Sequence, residues 1–196
     1  MKRLINYFLL ASFTILILSC EKKENVEKDE DVVSIPSNIK LGDFFAGGYV
    51  FYLKPDKSGG LVFAPSDVTP NPVAWGCKGL KLPILGTKAG DGLNNTKTIL
   101  SLCSETNIAA KLCDLFASAG YNDWFLPSED ELQLIASVCY EANSNVNADH
   151  KLNPLDFYWT STESHDYMAR VNMGKGQLAT GKFRDDKHRV RAARAF

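Results

Sequence analysis

Apolar and polar positions along the chain fall into three regimes: one continuous apolar run, then a charged stretch, then a long tract in which alternating runs flank helical spacings. Leu4 to Leu18 is apolar apart from Asn6, Ser12 and Thr14, and follows Lys2 and Arg3. That length suits a secretory h-region and is short for a membrane-spanning helix, so residues 1–19 are expected to be a signal segment. The next stretch, EKKENVEKDEDVVSIPSN, has almost no large apolar side chain before Val32. It cannot bury enough surface to offset the entropy of ordering, so residues 20–39 read as a flexible tether and residues 40–196 as one domain.

Within the domain, Tyr49 to Leu53 and Leu61 to Ala64 are short β-rich runs separated by KPDKSGG, a turn sequence, and predict a hairpin. Helical spacing follows over Thr96 to Cys103, then over Ile108 to Ala119 with Ile108, Leu112, Leu115 and Phe116 on one face, and over Glu129 to Glu141 with Leu132, Ile135, Ala136 and Cys139 together. In the tail, Ala169, Val171 and Met173 alternate with polar positions, Gly174 to Gly176 turns the chain, and Leu178 to Phe183 returns. His188 to Ala195 alternates again, with Val190 and Ala192 on one face and Arg189 and Arg191 on the other. The order strands, helices, strands predicts an α+β fold with two to three helices.

The acid-rich Ser128-Glu129-Asp130-Glu131 is a helix start before it is a cation site. Serine three residues ahead of a glutamate, just before an apolar-periodic run, is the capping-box arrangement. Trp124 and Phe125 are expected in the core, and Asn122 and Asp123 in a turn. The run from Gly176 to Lys182 has the glycine and lysine spacing of a phosphate loop, but Phe183 stands where a magnesium-binding hydroxyl belongs. Ser161 and Ser164 lie near His165 in sequence without a third partner for nucleophilic catalysis. No catalytic residue, metal ligand or cofactor is expected, and the chain is not expected to be an enzyme.

Cysteine usage bears on location. The apolar run ends in Ile17-Leu18-Ser19-Cys20, which resembles the lipobox of bacterial lipoproteins and marks Cys20 as the lipidated residue. With several acyl chains, each buried CH2 contributing about 0.8 kcal/mol, the attachment would be stable. Glu21, rather than an aspartate, follows Cys20 and points to the outer membrane. Cys77, Cys103, Cys113 and Cys139 remain, an even number in an oxidising compartment, and two disulfides of unspecified pairing are expected.

The net charge of −1 hides an asymmetry. From Met168 onward Arg170, Lys175, Lys182, Arg184, Lys187, Arg189, Arg191 and Arg194 face only Asp185 and Asp186. Clustered cations attract polyanions, so Lys175, Lys182, Arg184, Lys187, Arg189 and Arg191 form the candidate ligand-binding surface. The competing reading pairs these arginines internally with acids of the first helices.

GGYVFYL, GGLVFA, AWGC, the NNT-led helix, GYNDWFLPSEDEL, YWTSTES and VRAARAF occur in that order. Together they resemble the domain at the C-terminus of the Legionella collagen-like adhesin and its bacterial relatives, over nearly all of residues 41–196. The resemblance implies a C-type-lectin-like fold of antiparallel sheets with the first and last strands paired, Tyr49 to Leu53 lying beside His188 to Ala195, and a long loop region. It implies binding of sulfated glycosaminoglycan-like polyanions. The collagen-like repeat that would give multivalency is missing. Three functions follow: an envelope-anchored glycan or polyanion binder, an assembly lipoprotein packed on another envelope protein, or an oxidase of the formylglycine-generating kind. Nucleic acid is not expected as a partner.

Overall fold

The strand formed by GYVFYL is the organising element. In this computed structural model, which describes residues 34–163, 168–173 and 181–196, the chain divides into the units Met1–Val32 and Val33–Phe196. Cys20, the expected signal segment and residues 20–33 of the expected tether lie outside the described residues.

Strand β2 (Gly48–Leu53) runs antiparallel to β1 (Phe44–Phe45) and to β3 (Gly60–Phe63), with a bulge between Val50 and Tyr52. The hairpin turn carries Lys57 at φ 57°, in the left-handed region. Strand β3 then pairs antiparallel with the last strand, β9 (Ala193–Ala195), through Leu61 opposite Ala195 and Phe63 opposite Ala193, giving the order β1-β2-β3-β9. The first strands and the last thus close one antiparallel sheet, as the resemblance implies. The direct neighbour of the last strand is Gly60–Phe63 rather than Tyr49–Leu53, because β2 already has partners on both edges.

Period-two alternation divides the core. Tyr49, Phe51, Leu61, Phe63 and Ala193 join Leu132, Ile135, Ala136 and Cys139 of α3 (Glu129–Tyr140) in one cluster. Their sequence neighbours Val50, Val62, Ala64 and Ala192 join Ile99 of α1 (Gly92–Leu102), Ala109 and Ala110 of α2 (Ala109–Asp114), and Trp75, Trp124 and Trp159 in the other. A sheet covered on both faces buries every residue of β3, which is why that strand reads as continuously apolar.

Helix α3 starts as its sequence predicts. Ser128 Oγ accepts from Glu131 N at 3.3 Å, and Glu131 Oε2 accepts from Ser128 N at 2.8 Å, a complete capping box. Helix α1 begins at Gly92, ahead of the expected Thr96, because Glu131 Oε1 also accepts from Gly90 N at 2.7 Å and draws the glycine-rich segment onto α3. Helix α2 ends at Asp114, short of Ala119. Ala119 (φ 52°) and Gly120 (φ 85°) instead form the tight turn between Ser118 and Tyr121, which exchange two 3.0 Å main-chain hydrogen bonds.

A second sheet joins β5 (Phe157–Glu163), β6 (Met168–Met173) and β7 (Lys182–Phe183) in antiparallel order, and β4 (Val73–Ala74) pairs with β8 (Lys187–His188). Strand β5 escapes sequence reading because its buried centre is polar: Thr160, Ser161 and Thr162 are buried, Ser161 N donates to Pro127 O at 2.7 Å, and Thr162 Oγ1 donates to Gly86 O at 2.9 Å. The expected strand His188 to Ala195 is divided into β8 and β9.

Cys77 and Cys103 are joined by a disulfide that ties the loop after β4 to the end of α1. The expectation of two disulfides is corrected here. Cys113 and Cys139 are free and fully buried, one in each core cluster, where they pack as small apolar side chains.

Candidate functional site

The arginines of the expected cationic surface are engaged by the chain's own acids and carbonyls. Arg184 is 1% exposed. Its Nη1 donates to Cys77 O at 2.9 Å and Leu80 O at 2.8 Å, its Nη2 pairs with Glu163, and its guanidinium lies 4.7 Å from the centroid of the Trp75 ring. The loop stapled by Cys77–Cys103 is thereby fixed to strand β5. Burial raises the Glu163 carboxyl above its ordinary range, against the lowering effect of Arg184.

Arg189 and Arg191 share Asp67. Arg189 Nη1 donates to Asp67 Oδ2 at 3.0 Å and its Nε to Asp156; Arg191 Nε donates to Asp67 Oδ1 at 2.8 Å. Arg191 Nη1 also donates to Ala64 O at 3.0 Å and His150 O at 2.7 Å, and the residue is 3% exposed with its donors satisfied. The hydrogen bonds to Asp156 and Asp67 hold the Arg189 guanidinium above its usual range. Close by, burial pushes the Tyr158 phenol up to about 12, and its oxygen accepts from Asn153 N at 2.9 Å. Arg194 pairs with Asp123, donates from Nη1 to Ala46 O at 3.0 Å, and stacks 3.7 Å from the Tyr121 ring centroid.

The expected ligand surface is therefore corrected in its membership. Arg184, Arg189 and Arg191 are internal partners, and they meet loop acids and a strand glutamate rather than acids of the first helices. A guanidinium suits this because its planar fork satisfies several carbonyls and a carboxylate at once. Lys187 is exposed, and Lys182 places its ammonium 5.3 Å from the Phe157 ring centroid. Lys78 is exposed and pairs with Asp185. Lys175, Ser164 and His165 lie outside the described residues. Ser161 is buried and its Oγ accepts from Asn95 Nδ2 at 3.1 Å.

His188 sits between aromatic rings, 4.6 Å from the Trp159 centroid and 5.6 Å from that of Phe157. Burial lowers its pKa from the ordinary histidine value. Among the described residues no group of three or more His, Cys, Asp or Glu side chains is arranged to hold a metal ion.

Asp67, Asp123, Asp156 and Glu163, the acids that decide the fate of the basic tail, are the residues that sequence reading missed. Each is distant in sequence from its arginine, and local patterning carries no signal for such pairs.

The family model for the Lcl C-terminal domain matches residues 71–194. The chain belongs to the Lcl C-terminal domain family. The Lcl-matched span runs from just before β4 into β9 and holds Arg184, Arg189, Arg191 and Arg194, whereas their partners Ala46, Ala64 and Asp67 and the β1–β3 strands that complete the sheet precede it. No curated protein matches the chain. Among solved structures, a fimbrial protein from Bacteroides ovatus ATCC 8483 aligns at TM-score 0.47 and 13% identity over 68% of this chain and 35% of its own. This chain thus spans about a third of that protein's length, and a likeness of this degree carries no argument.

Proposed function

We propose that the protein is an envelope-anchored lipoprotein, attached through Cys20, whose domain is an adhesion-type binding module for an anionic glycan. The Lcl C-terminal domain match over residues 71–194 carries this reading, because the resemblance is to the C-terminal domain of a bacterial adhesin. The lipobox-like Ile17-Leu18-Ser19-Cys20 supports the anchor, and Glu21 after it the outer membrane. With Arg184, Arg189 and Arg191 committed internally, the electrostatic part of ligand binding falls to Lys175, Lys182 and Lys187.

The domain acts by binding rather than catalysis. The oxidase alternative needs a reactive thiolate, whereas burial pushes the Cys113 thiol well above, and that of Cys139 above, the ordinary cysteine value. A second reading, packing on an envelope protein, is favoured by the outward position of Ile84, which is 101% exposed, and of Phe183, at 65%.

The test is a glycan and glycosaminoglycan array probed with the soluble domain, residues 33–196, at two salt concentrations. Retention on sulfated or uronic-acid glycans that weakens with salt supports the module, because neutralising a dense polyanion releases its counterions. Failure to retain any glycan, together with cross-linking of Ile84 or Phe183 to an envelope protein in cells, would replace it with the assembly reading.

A further inference from the structure

A cleft apart from the tail lysines opens where the far end of the β2–β3 hairpin and the end of β9 meet the start of α1. Its volume is about 210 Å³. Tyr52, Leu61, Leu93, Phe125 and Phe196 line it, and Lys54 is its one charged lining side chain. Tyr52, in β2, and Lys54, just past its end, both reach the cleft. Among the described residues neither side-chain head has a hydrogen-bond partner, and Lys54 forms no ion pair. The nearest acid in sequence, Asp56, forms no ion pair with Lys54: its Oδ1 accepts from Ser58 N at 3.0 Å, although the lysine charge still contributes to lowering its pKa.

Small residues keep the cleft open. Gly90, at φ 101°, has nothing within 4 Å of where a Cβ would stand. At Gly60 a Cβ would lie 2.3 Å from Tyr52 O and 2.7 Å from the Phe196 ring, so a side chain there would push into both. The cleft is smaller than the ~300 to 1,000 Å³ of drug-sized sites, which limits the occupant to one ring or a short branched chain.

We propose that this cleft is a binding site for a small amphipathic carboxylate, its apolar body among Leu61, Leu93, Phe125 and Phe196 and its carboxylate on Lys54 with the Tyr52 hydroxyl beside it. Apolar walls with one cation and one hydroxyl at the rim recognise an apolar group that ends in an anionic acceptor. The site does not rest on the adhesion reading, and its test uses no polysaccharide.

The test is amide-resolved NMR titration of the full chain carrying Cys20→Ala, so that no acyl chain competes for the cleft, with 3-phenylpropionate and with 3-phenylpropanamide, which has the same body and no charge. The carboxylate is expected to move the Gly60, Gly90 and Leu93 amides saturably at millimolar concentration. The amide should bind about two- to fivefold more weakly, the size of a solvent-exposed ion pair, and Lys54→Gln should erase that difference. Ala195→Trp, at an exposed lining position, should abolish the shifts, with Leu93→Phe as the alternative filler if the first variant does not fold. Absence of saturable shifts, equal affinity for the two probes, or unchanged shifts in a folded filler variant would overturn the proposal.

Discussion

Glu131 and Gly90 are joined across 41 positions by a 2.7 Å hydrogen bond from the glycine N–H to the glutamate Oε1, at the first turn of α3. Glu131 is itself fully buried, and its other oxygen closes the capping box on Ser128. One carboxylate therefore caps a helix and holds the glycine-rich segment that leads into α1. Burial raises its pKa in spite of the N–H donors around it.

Glu131→Ala takes the acceptor from the buried N–H groups of Ser128 and Gly92, and from the Gly90 N–H as well. At ~1 to 3 kcal/mol for each such group, it should destabilise the domain by more than Ser128→Ala, which removes a cap worth about 1 kcal/mol. Urea denaturation of both variants checks the order. Added calcium should leave the wild-type melting temperature unchanged if the acids of this stretch serve the helix.

Arg191→Ala should be among the most damaging changes in the tail. It leaves Asp67 Oδ1, Ala64 O and His150 O without this donor in a nearly closed site, Arg189 still holding Asp67 Oδ2, and breaking a buried pair from one side costs up to about 3 to 5 kcal/mol. Lys187→Ser, by contrast, changes an exposed residue and should leave stability within about 0.5 kcal/mol of wild type. Equal loss in the two variants would contradict the inward position of the tail arginines.

Thiol labelling separates the four domain cysteines. Unreduced domain, once denatured, should expose two reactive thiols, Cys113 and Cys139, whereas native domain should expose neither. Cys103→Ser should lower stability by roughly 2 to 4 kcal/mol, as for loss of a native disulfide.

His188 makes stability depend on pH in a defined direction. Its folded pKa lies below the ordinary histidine value, so between the folded and unfolded values the unfolded chain binds the proton and the folded chain does not. Its contribution is fully present above about pH 6.5, the unfolded value, and is lost as pH falls through the folded one. Thermal melts from neutral to mildly acidic pH should show a steeper fall for wild type than for His188→Gln.

What the sequence revealed was what is local. The capping box at Ser128 and Glu131, the β2–β3 hairpin and the helical face of α3 depend on neighbours within a few residues, and all three are present. The pairing of β9 with β3 and the acids that neutralise Arg184, Arg189 and Arg191 depend on contacts between distant parts of the chain, for which spacing gives no rule. Cysteine parity misled for the same reason: an even count says nothing of whether a thiol is buried apart from its potential partner. Strand β5 was hidden by composition, since its polar centre is stabilised by hydrogen bonds to Pro127 and Gly86 rather than by apolar alternation.

The β3–β9 pairing also sets the order in which the molecule can be made. Gly60–Phe63 emerges early from the ribosome but finds Ala193–Ala195 only after roughly 130 further residues, a long loop to close and a slow topology. Until then β3 presents an apolar open edge, the kind of surface that recruits other chains. A chain stalled or clipped before β9 would keep that edge, so such fragments should be prone to aggregation and good substrates for proteases that survey unfinished proteins.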